Sequence, residues 1–564
     1  MKFPIFVVGV MVAGVASAML KVSPYFSDNG VVQCDMKARV FGVARPASKV
    51  TVEFKGQKKT AVAGSDWRWT AELDPLKADA KGATMTITDG KKTIIVTNLL
   101  VGEVWFACGQ SNMEMPMWGK NPKFRQTDGD KIAAAGADDS LRMLDSKPID
   151  GISAPDFRKT VNNKHQWVAA TPESIEKYSA TAYLFARELR RKLKVPVGII
   201  AAYCGGTNIE LWTPPCGYNK GIESLNYLRD RVNGRIPGTA EYHKFSKRYM
   251  AECAQWFAEF RKRNETEVPM YAEIFNEINL KYSKWYAQFA AAYYANQRLP
   301  HPPELPKEFK IVPEPPKMPS EIKVKKGWNV DDTTFYNYMV DPFAPASIRG
   351  LIFYQGCNNL SSHARYADLM EAFYLGWCEE FKNEKLPFYY VQVAPYAYVR
   401  RRKSGDMLPC LWEAQSDFEK RYGKQVGMAV INDVGNIDDI HPYDKRKVAE
   451  RLAAYAFNRT YAMKDVACEF PKLASYEIKG GKFVLRFMNV TEFKRAAAKP
   501  RFELAGADGV KHPAKFEIKG SEIIVSSDKV TAPAVLYYGW DECCEAALTN
   551  EHGLPLTTFR CPHP

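Results

Sequence analysis

Five long apolar runs constrain the fold of this chain most strongly. The runs are VGEVWFAC, VPVGIIAAYC, IRGLIFYQG, FYYVQVAPY and VGMAVINDVG, and helical stretches such as TAYLFARELRRKL separate them. Strands that are buried on both faces and alternate with helices form a mostly parallel sheet covered by helices. The sequence therefore predicts an α/β domain.

Segments rich in β-branched residues flank this domain. KVTVEF, ATMTITDG and KKTIIVTN precede it, and ASYEIKGGKFVLRFM and AKFEIKGSEIIVSS follow it, with Gly, Asp and Pro between the runs. Short strands broken by turn residues are typical of all-β modules. We predict β-sandwich-like modules at 19–98 and 466–564.

The region from 217 to 330 interrupts the α/β pattern. At 564 residues the chain is long enough for roughly three to four domains. The interruption combines a helical stretch rich in aromatics, which predicts helix packing rather than a ligand platform, with a Pro- and Lys-rich connector. The α/β domain is therefore predicted in two parts, 99–216 and 331–465, around a helical insertion.

The N-terminus has the pattern of a secretory signal. Lys2 is followed by an apolar run from Ile5 to Val15 and by the small triplet that ends at Ala18. This pattern predicts a signal peptide at 1–18, cleavage after Ala18, and a secreted or periplasmic protein. An N-terminal anchor or a buried helix is the alternative. No later stretch is long and apolar enough to cross a bilayer.

The charge and the cysteines exclude few classes of protein. The formal net charge of +14 becomes +13 without Lys2, and its basic residues are scattered among acidic ones. A solvated, lysine-rich surface is favoured over a nucleic-acid site, and an acidic glycan is compatible with it. The twelve cysteines form no CxxC pair and the eight histidines do not cluster, so we expect no metal or organic cofactor.

Four polar blocks follow predicted strands of the parallel sheet. They are GQSN at 109–112, CGGTNIELW at 204–212, YQGCNN at 354–359 and DVGNIDDIHP at 433–442. Ligands bind at the carboxyl ends of strands in open α/β sheets. These blocks are therefore expected to meet in one site.

The residue types in these blocks suit acyl transfer. A serine hydroxyl needs a base, and the imidazole needs a partner on its other nitrogen, so we assign Ser111, His441 and Asp438, with Asp439 as the competing carboxylate. The oxyanion is expected on the Ser111 N–H, on a glycine N–H from Gly205 or Gly206, and on the Asn359 amide. Each block alone is also compatible with a structural turn.

The order Ser, Gly, Asn and Asp-x-x-His resembles the SGNH, or GDSL-like, hydrolases, whereas GQSNM lacks the second glycine of the G-x-S-x-G elbow of α/β-hydrolases. More specifically, the chain resembles the sialate O-acetylesterases over nearly its whole mature length. The matching stretches are VGEVWFACGQSNMEMP, YSATAYLFARELRRKL, GGTNIELWTP, FYNYMVDPFAPASIRGLIFYQG, VQVAPY, IHPYDKRKVAERLA and LTNEHGLPLTTFR.

This resemblance implies a flavodoxin-like SGNH α/β/α core and removal of O-acetyl esters from sugars, with Ser111 as nucleophile and His441 as base. Acetylxylan or another polysaccharide is the alternative substrate, and a non-catalytic carbohydrate-binding protein is the alternative class. Candidate substrate contacts are Gln110, Asn112, Trp212 and Gln355.

Two positions depart from the family pattern, and one of them is Asp438, because family members often carry the aspartate two residues before the histidine and not three. Cys357 stands where the family usually has a glutamate in the block QGCNN. Cys357, Cys204 and Cys108 each lie beside a polar block, and packing as buried thiols is favoured. The sharper hypothesis is a disulfide between Cys204 and Cys357 that braces the rim of the site.

Overall fold

A computed structural model describes residues 20–146, 165–266, 272–294, 299–303, 316–319, 332–400 and 405–563. The signal peptide predicted at 1–18 and most of the Pro-rich connector lie outside these residues.

The N-terminal module consists of strands, as its β-branched runs predict. Trp69, Ala71 and Leu73 alternate with exposed residues along one strand, which is the period-two pattern of a sheet with one buried face. The strands are β1 Lys21–Val22, β2 Val31–Gln33, β3 Ala38–Val43, β4 Lys49–Phe54, β5 Gln57–Val62, β6 Arg68–Leu73, β7 Asp79–Thr88 and β8 Thr93–Gly109.

Strand β8 belongs to two parts of the molecule. Near its start it pairs antiparallel with β7, where Thr93 lies opposite Thr88. Towards its end it pairs parallel with strands of the central sheet. The boundary predicted between 98 and 99 therefore falls inside one continuous strand.

The central sheet contains all five apolar runs as parallel strands. Its strands after β8 are β9 Asp138–Ser146, β10 Val168–Ala170, β11 Val197–Tyr203, β12 Gly350–Tyr354, β13 Phe388–Val391 and β14 Val426–Ala429. The order is β10-β9-β11-β8-β12-β13-β14, and only β10 is antiparallel to its neighbour. Without the β9–β10 edge, the order of the five runs is 2-1-3-4-5, which is the flavodoxin-like doubly wound order.

Helices cover both faces of this sheet. Successive side chains of a strand point to opposite faces. Trp105 of β8 packs on Phe185, whereas the next residue, Phe106, packs on Trp377. The α-helices are α1 Ser111–Glu114, α2 Gly129–Ala134, α3 Pro172–Lys177, α4 Ala180–Leu193, α5 Pro215–Tyr218, α6 Asn226–Asn233, α7 Ala240–Thr266, α8 Ala272–Tyr294, α9 Tyr366–Glu380, α10 Met407–Tyr422 and α11 Arg446–Tyr455.

The two faces are therefore covered by different helices, with α4 on the Trp105 face and α9 on the Phe106 face. Short 3₁₀ and π-helical segments lie at Ile209–Leu211, Glu223–Leu225, Tyr336–Val340, Asp341–Phe343, Cys357–Arg365, Tyr398–Arg400, Gly423–Gln425 and Ala456–Thr460. Within the described residues, no helix combines the length and apolarity needed to span a membrane.

The aromatic residues of the insertion form a small core of their own. Helices α7 and α8 contact each other. The buried residues of this core are Tyr242, Tyr249, Cys253, Trp256, Tyr282, Trp285, Phe289 and Leu299. The aromatic stripe thus packs helices together, as its spacing predicts.

The C-terminal module contains two four-stranded sheets and a two-stranded one, around a separate core that includes Phe483, Leu485 and Val525. Its strands are β15 Lys472–Lys479, β16 Lys482–Met488, β17 Lys494–Arg495, β18 Phe502–Ala505, β19 His512–Pro513, β20 Lys515–Lys519, β21 Glu522–Ser526, β22 Val535–Tyr538, β23 Leu548–Thr549 and β24 Phe559–Cys561.

Candidate active site

The first and third polar blocks meet where β8 and β12 end side by side. Gly109 pairs with Tyr354, and the Gln110 N–H donates to the Tyr354 carbonyl at 3.1 Å. A Cβ at Gly109 would lie 2.4 Å from that carbonyl oxygen, so only glycine permits this approach. The two blocks therefore lie at the switch point of the sheet, between its first and third strands, where ligands bind in this topology.

Ser111 and His441 are in hydrogen-bonding contact. Ser111 is the first residue of α1, directly after the turn that follows β8, and His441 lies in the loop after β14. The distance from Ser111 Oγ to His441 Nε2 is 2.9 Å. The fold thus brings together two residues that are 330 positions apart in the sequence.

The carboxylate beside the imidazole is Asp439. Its Oδ1 lies 3.5 Å from His441 Nδ1 and accepts the His441 backbone N–H at 2.9 Å. Its Oδ2 accepts the Tyr443 hydroxyl at 2.6 Å. Asp439 is therefore held in place from two directions next to His441.

Asp438, the carboxylate that we first assigned, lies elsewhere. The Asp439 N–H donates to the Asn436 carbonyl and closes a turn in which Asp438 occupies the third position. The Asp438 side chain is mostly exposed and pairs with Arg400. The assignment of Asp438 is thus corrected in favour of Asp439.

The surroundings of His441 favour its neutral form. Burial lowers the pKa of the imidazole, and the positive charge of Lys445 adds to this effect, while Asp439 opposes it. Because the result lies below the usual histidine pKa, His441 is neutral at pH 7. A neutral imidazole is the form that accepts a proton from a hydroxyl.

Some of the expected oxyanion donors already have hydrogen-bond partners in the protein. The Gly205 N–H donates to the Glu114 carboxylate at 2.6 Å. A Cβ on Gly205 would lie 3.5 Å from the Ser111 Cβ, so this glycine borders the nucleophile. Gly206 is exposed and has a left-handed φ of 69°. Because Ser111 begins α1, its N–H has no acceptor within that helix.

Asn359 lies in a buried cluster of amides and one carboxylate. Its Oδ1 accepts the Ile209 N–H at 2.9 Å and the Gln355 amide at 2.8 Å. Its Nδ2 donates to Glu210 at 2.8 Å. An amide nitrogen carries two hydrogens, so one further donor remains in its inventory.

Three candidate substrate contacts are buried and bonded within the protein. Asn112 is 1% exposed and bonds to Ile440 and Lys445 through its two polar atoms. Gln355 is 2% exposed and bonds to Asn359, and Trp212 is fully buried. These contacts are corrected, because a buried side chain whose polar atoms are satisfied offers a sugar no surface.

The fourth candidate, Gln110, is buried as well. Its side-chain oxygen accepts the Gly356 N–H at 3.3 Å. The indole N–H of Trp212 donates to Thr207 at 3.0 Å, and its ring stacks on Phe335. Trp212 therefore stabilises the turns of the site instead of lining it, whereas the role of Gln110 as a substrate contact stays a prediction.

Aromatic residues that the sequence motifs did not indicate lie nearer to the surface. Phe124 is half-buried and meets the His441 ring edge to face, with centroids 5.0 Å apart and an interplanar angle of 80°. Trp118 is also half-buried, and the Arg125 guanidinium lies 3.5 Å from its ring centroid. Both aromatics belong to the loop after α1, in which no motif signals a role.

The proposed brace between Cys204 and Cys357 is not formed. All twelve cysteines lie in the described part of the chain, and all are free thiols. Burial raises the pKa of the Cys357 thiol to about 11, so it is protonated at neutral pH. The disulfide hypothesis is therefore corrected, and Cys357 packs as a neutral, buried side chain.

One cluster in the described residues has metal-ligand chemistry. Ligand atoms of Cys34, Asp35 and Glu103 lie within 4.8 Å of one another. Arg349, however, occupies both oxygens of Glu103, at 2.6 and 2.9 Å. Glu103 also lies six residues before Gly109 in β8, roughly 20 Å along the strand. This cluster is a partly exposed ion-pair network remote from Ser111.

No family model matches the chain. Comparison with curated proteins does find relatives by sequence. Sialate O-acetylesterase of Homo sapiens is 31% identical over 204 residues, which are 34% of this chain and 38% of that protein. This match thus spans well under half the length of the human protein. Sialate O-acetylesterase of Rattus norvegicus is 23% identical over 467 residues, which are 77% of this chain and 72% of that protein.

A solved structure extends the likeness to the fold. A carbohydrate acetylesterase from Xanthomonas citri superposes with a TM-score of 0.69 at 26% identity. The superposition covers 96% of this chain and 99% of that one. The flanking modules are thus shared along with the sheet, and together these matches make the chain similar in sequence to sialate O-acetylesterases and in fold to a carbohydrate acetylesterase.

Proposed function

We propose that the chain is a serine carboxylic-ester hydrolase that removes O-acetyl groups from sugars. The observation that carries this proposal is the 2.9 Å contact between Ser111 Oγ and His441 Nε2 at the switch point of the sheet. Asp439 on the other side of the imidazole supports it. A hydroxyl, a neutral imidazole and a carboxylate in this order are the components of a catalytic triad.

In the first step, Ser111 Oγ attacks the acetyl carbonyl carbon while its proton passes to His441 Nε2. The carbonyl π electrons move to the oxygen, which becomes an oxyanion, and Asp439 stabilises the imidazolium that forms. The tetrahedral intermediate collapses by breaking the bond to the sugar oxygen, and that oxygen takes the proton from His441. The sugar leaves as an alcohol and the acetyl group stays on Ser111.

In the second step, water replaces the sugar. His441 takes a proton from the water as the water oxygen attacks the acetyl carbon. The tetrahedral intermediate then collapses by breaking the bond to Ser111 Oγ, which takes the proton from His441, and acetic acid leaves and ionises in solvent. The oxyanion is proposed to bind the Ser111 N–H, the remaining Asn359 N–H and a glycine N–H. Gly205 joins this set only when Glu114 releases its N–H, whereas Gly206 has no such competitor among its described contacts.

A carbohydrate is the proposed substrate because the relatives are named as acetylesterases of sialate and of carbohydrate. With Trp212 buried, the aromatic contacts to a sugar ring are reassigned to Phe124 and Trp118. Both keep exposed surface in the loop after α1, and Phe124 touches His441. Aromatic faces of this kind pack well against the apolar faces of pyranose rings.

The test is acetate release from p-nitrophenyl acetate by wild type and by Ser111→Ala. We expect kcat to fall at least about a thousandfold, because removing the nucleophile of a triad leaves only residual catalysis. Ser475→Ala is the matched control, since Ser475 is exposed in the C-terminal module. Equal rates in wild type and Ser111→Ala would contradict the proposal and favour a non-catalytic carbohydrate-binding role.

The substrate is then identified with a panel of acetylated sialic acid, acetylated xylan and acetylated algal glycans. The highest Ser111-dependent kcat/KM identifies the preferred glycan. Activity on p-nitrophenyl acetate without activity on any glycan would contradict the carbohydrate part of the proposal alone.

Export is the remaining part of the proposal and depends on the sequence at 1–18. We propose cleavage after Ala18, so that the mature chain begins at Met19. Expression with the complete N-terminus, followed by N-terminal sequencing of the exported protein, tests it. A protein retained with its N-terminus intact would contradict export.

A further inference from the structure

Lys445 is fully buried between the loops that carry Ser111 and His441. Its Nζ donates to the Asn112 side-chain oxygen at 2.6 Å and to the Pro442 carbonyl at 2.8 Å. Asn112 directly follows Ser111, and Pro442 directly follows His441. One ammonium group therefore bonds to the residue after the proposed nucleophile and to the residue after the proposed base.

Asn112 makes a second hydrogen bond between the Ser111 turn and the His441 loop. Its side-chain Nδ2 donates to the Ile440 carbonyl at 3.1 Å, on the other side of His441. The orientation of this amide follows from its partners, because an ammonium only donates and a carbonyl only accepts. The His441 loop is thus bonded to the Ser111 turn both before and after the histidine.

Burying the Lys445 ammonium has an unfavourable desolvation free energy. Within the described residues, no carboxylate forms an ion pair with Lys445, whose Nζ lies 5.3 Å from the centre of the Tyr354 ring. Removing a charge from water without pairing it opposes folding, and a well-packed apolar residue would avoid that loss. Unpaired buried charges of this kind concentrate at functional sites.

We propose that Lys445 is a positioning residue of the reaction: its ammonium fixes Ser111 against His441 and keeps the imidazole in the neutral form that accepts the serine proton. This inference rests on the proposed ester hydrolysis for its purpose. The contacts that carry it are independent of that function.

The charges around the pair determine the direction of the effect. Burial lowers the pKa of Lys445 to about 7, and Cys357, Asp439 and Asp444 oppose this. Burial and Lys445 lower the pKa of His441, and Asp439 opposes this. At pH values below 7 Lys445 is protonated, so its charge is present over the range in which His441 titrates. Removing that charge must therefore raise the pKa of His441.

Two neutral substitutions separate the charge from the hydrogen bonds. Lys445→Gln keeps a donor that can reach toward Asn112 and Pro442, whereas Lys445→Met removes charge and donors together. We expect the midpoint of the acid limb of kcat/KM on p-nitrophenyl acetate to move up by roughly one pH unit in both variants. We expect kcat at pH 8 to fall further in the Met variant, because only that variant loses the bonds.

Lys447→Met is the matched control. Lys447 lies two residues further along, in the first turn of α11, is mostly exposed and pairs with Asp433. The same substitution there should leave the midpoint unchanged. Thermal unfolding of all three variants checks that each is folded, and Lys445→Gln keeps the test open if Lys445→Met is not.

NMR titration of histidines labelled at Cε1 measures the same shift without catalysis. His441→Asn assigns the His441 resonance among the eight histidines. An upward shift in the Lys445 variants, in both the resonance and the acid limb, supports the inference. An unchanged His441 titration in folded Lys445→Gln overturns it. A shifted titration in a protein without Ser111-dependent hydrolysis instead overturns the proposed function, and with it the role of Lys445 in that reaction.

Discussion

The two sides of the candidate site are held together differently. On one side, Ser111 and His441 are tied by bonds that cross between their loops, through Asn112 and Lys445. On the other side, the donors expected to stabilise an oxyanion are bonded to carboxylates, Gly205 to Glu114 and Asn359 to Glu210. The first side is preassembled for proton transfer, whereas the second uses the same groups for folding and for the proposed chemistry. Substitutions on the two sides should therefore fail in different ways.

We expect the largest loss of kcat on the Ser111–His441 side, where the two adjacent aspartates should respond differently to substitution. Asp439→Asn removes the charge beside His441 Nδ1, and we expect kcat on p-nitrophenyl acetate to fall about a thousandfold with little change in stability. Asp438→Asn is the matched control and should stay within about twofold, because Asp438 is exposed and pairs with Arg400. If Asp438→Asn were the more damaging change, the assignment of Asp439 would be wrong.

An intermediate effect should come from Asn359 on the donor side. Asn359→Ala removes a proposed oxyanion donor, so we expect kcat to fall about a hundredfold. It also leaves the buried Ile209 N–H without its acceptor, which should lower the free energy of unfolding by about 1–3 kcal/mol. Denaturant unfolding and kcat together measure both losses. Asn358→Ala, at an exposed neighbouring position, is the control. A lower kcat at an unchanged free energy of unfolding would mean that Asn359 acts in the reaction without stabilising the fold, which would contradict its double role.

The smallest effect should come from Phe124. Phe124→Leu removes the edge-to-face contact with His441, and we expect kcat/KM to fall roughly threefold, in line with the modest energy of one aromatic pair. Phe516→Leu in the C-terminal module should not change kcat/KM. A loss as large as that of Asp439→Asn would mean that the preassembled side depends on aromatic packing more than on charge.

The main features of the fold could be predicted from hydrophobic patterning. All five apolar runs form parallel strands, because a short continuous apolar run bounded by turn residues fits a strand that is buried on both faces. Strand β9, Asp138–Ser146, was not predicted. It lies towards the edge of the sheet and carries Asp138 and Arg142 among apolar residues, so its pattern lacks the continuous apolar run.

Site residues with a specific chemical role could be predicted from the sequence. Residues whose role depends on how the chain buries or orients them could not. A serine and a histidine after separate strands indicated Ser111 and His441. Asp438 and Asp439 are one residue apart, and the turn at Asn436, together with the hydrogen bond from the His441 N–H, places Asp439 beside the imidazole. Lys445 was not predicted, because a lysine between charged neighbours suggests an exposed helix. Its burial depends on contacts with residues more than 300 positions away.

The continuity of strand β8 has a consequence for how the chain can be shortened. The central sheet and the N-terminal module share this strand. The module therefore stabilises the central strand and is not an independent domain. A chain truncated before residue 99 would lose the antiparallel partner β7 and the parallel partner β2 of that strand. The start of β8 would then expose unpaired backbone N–H and C=O groups that can pair with other chains. We therefore expect the truncated protein to aggregate instead of forming an isolated catalytic domain.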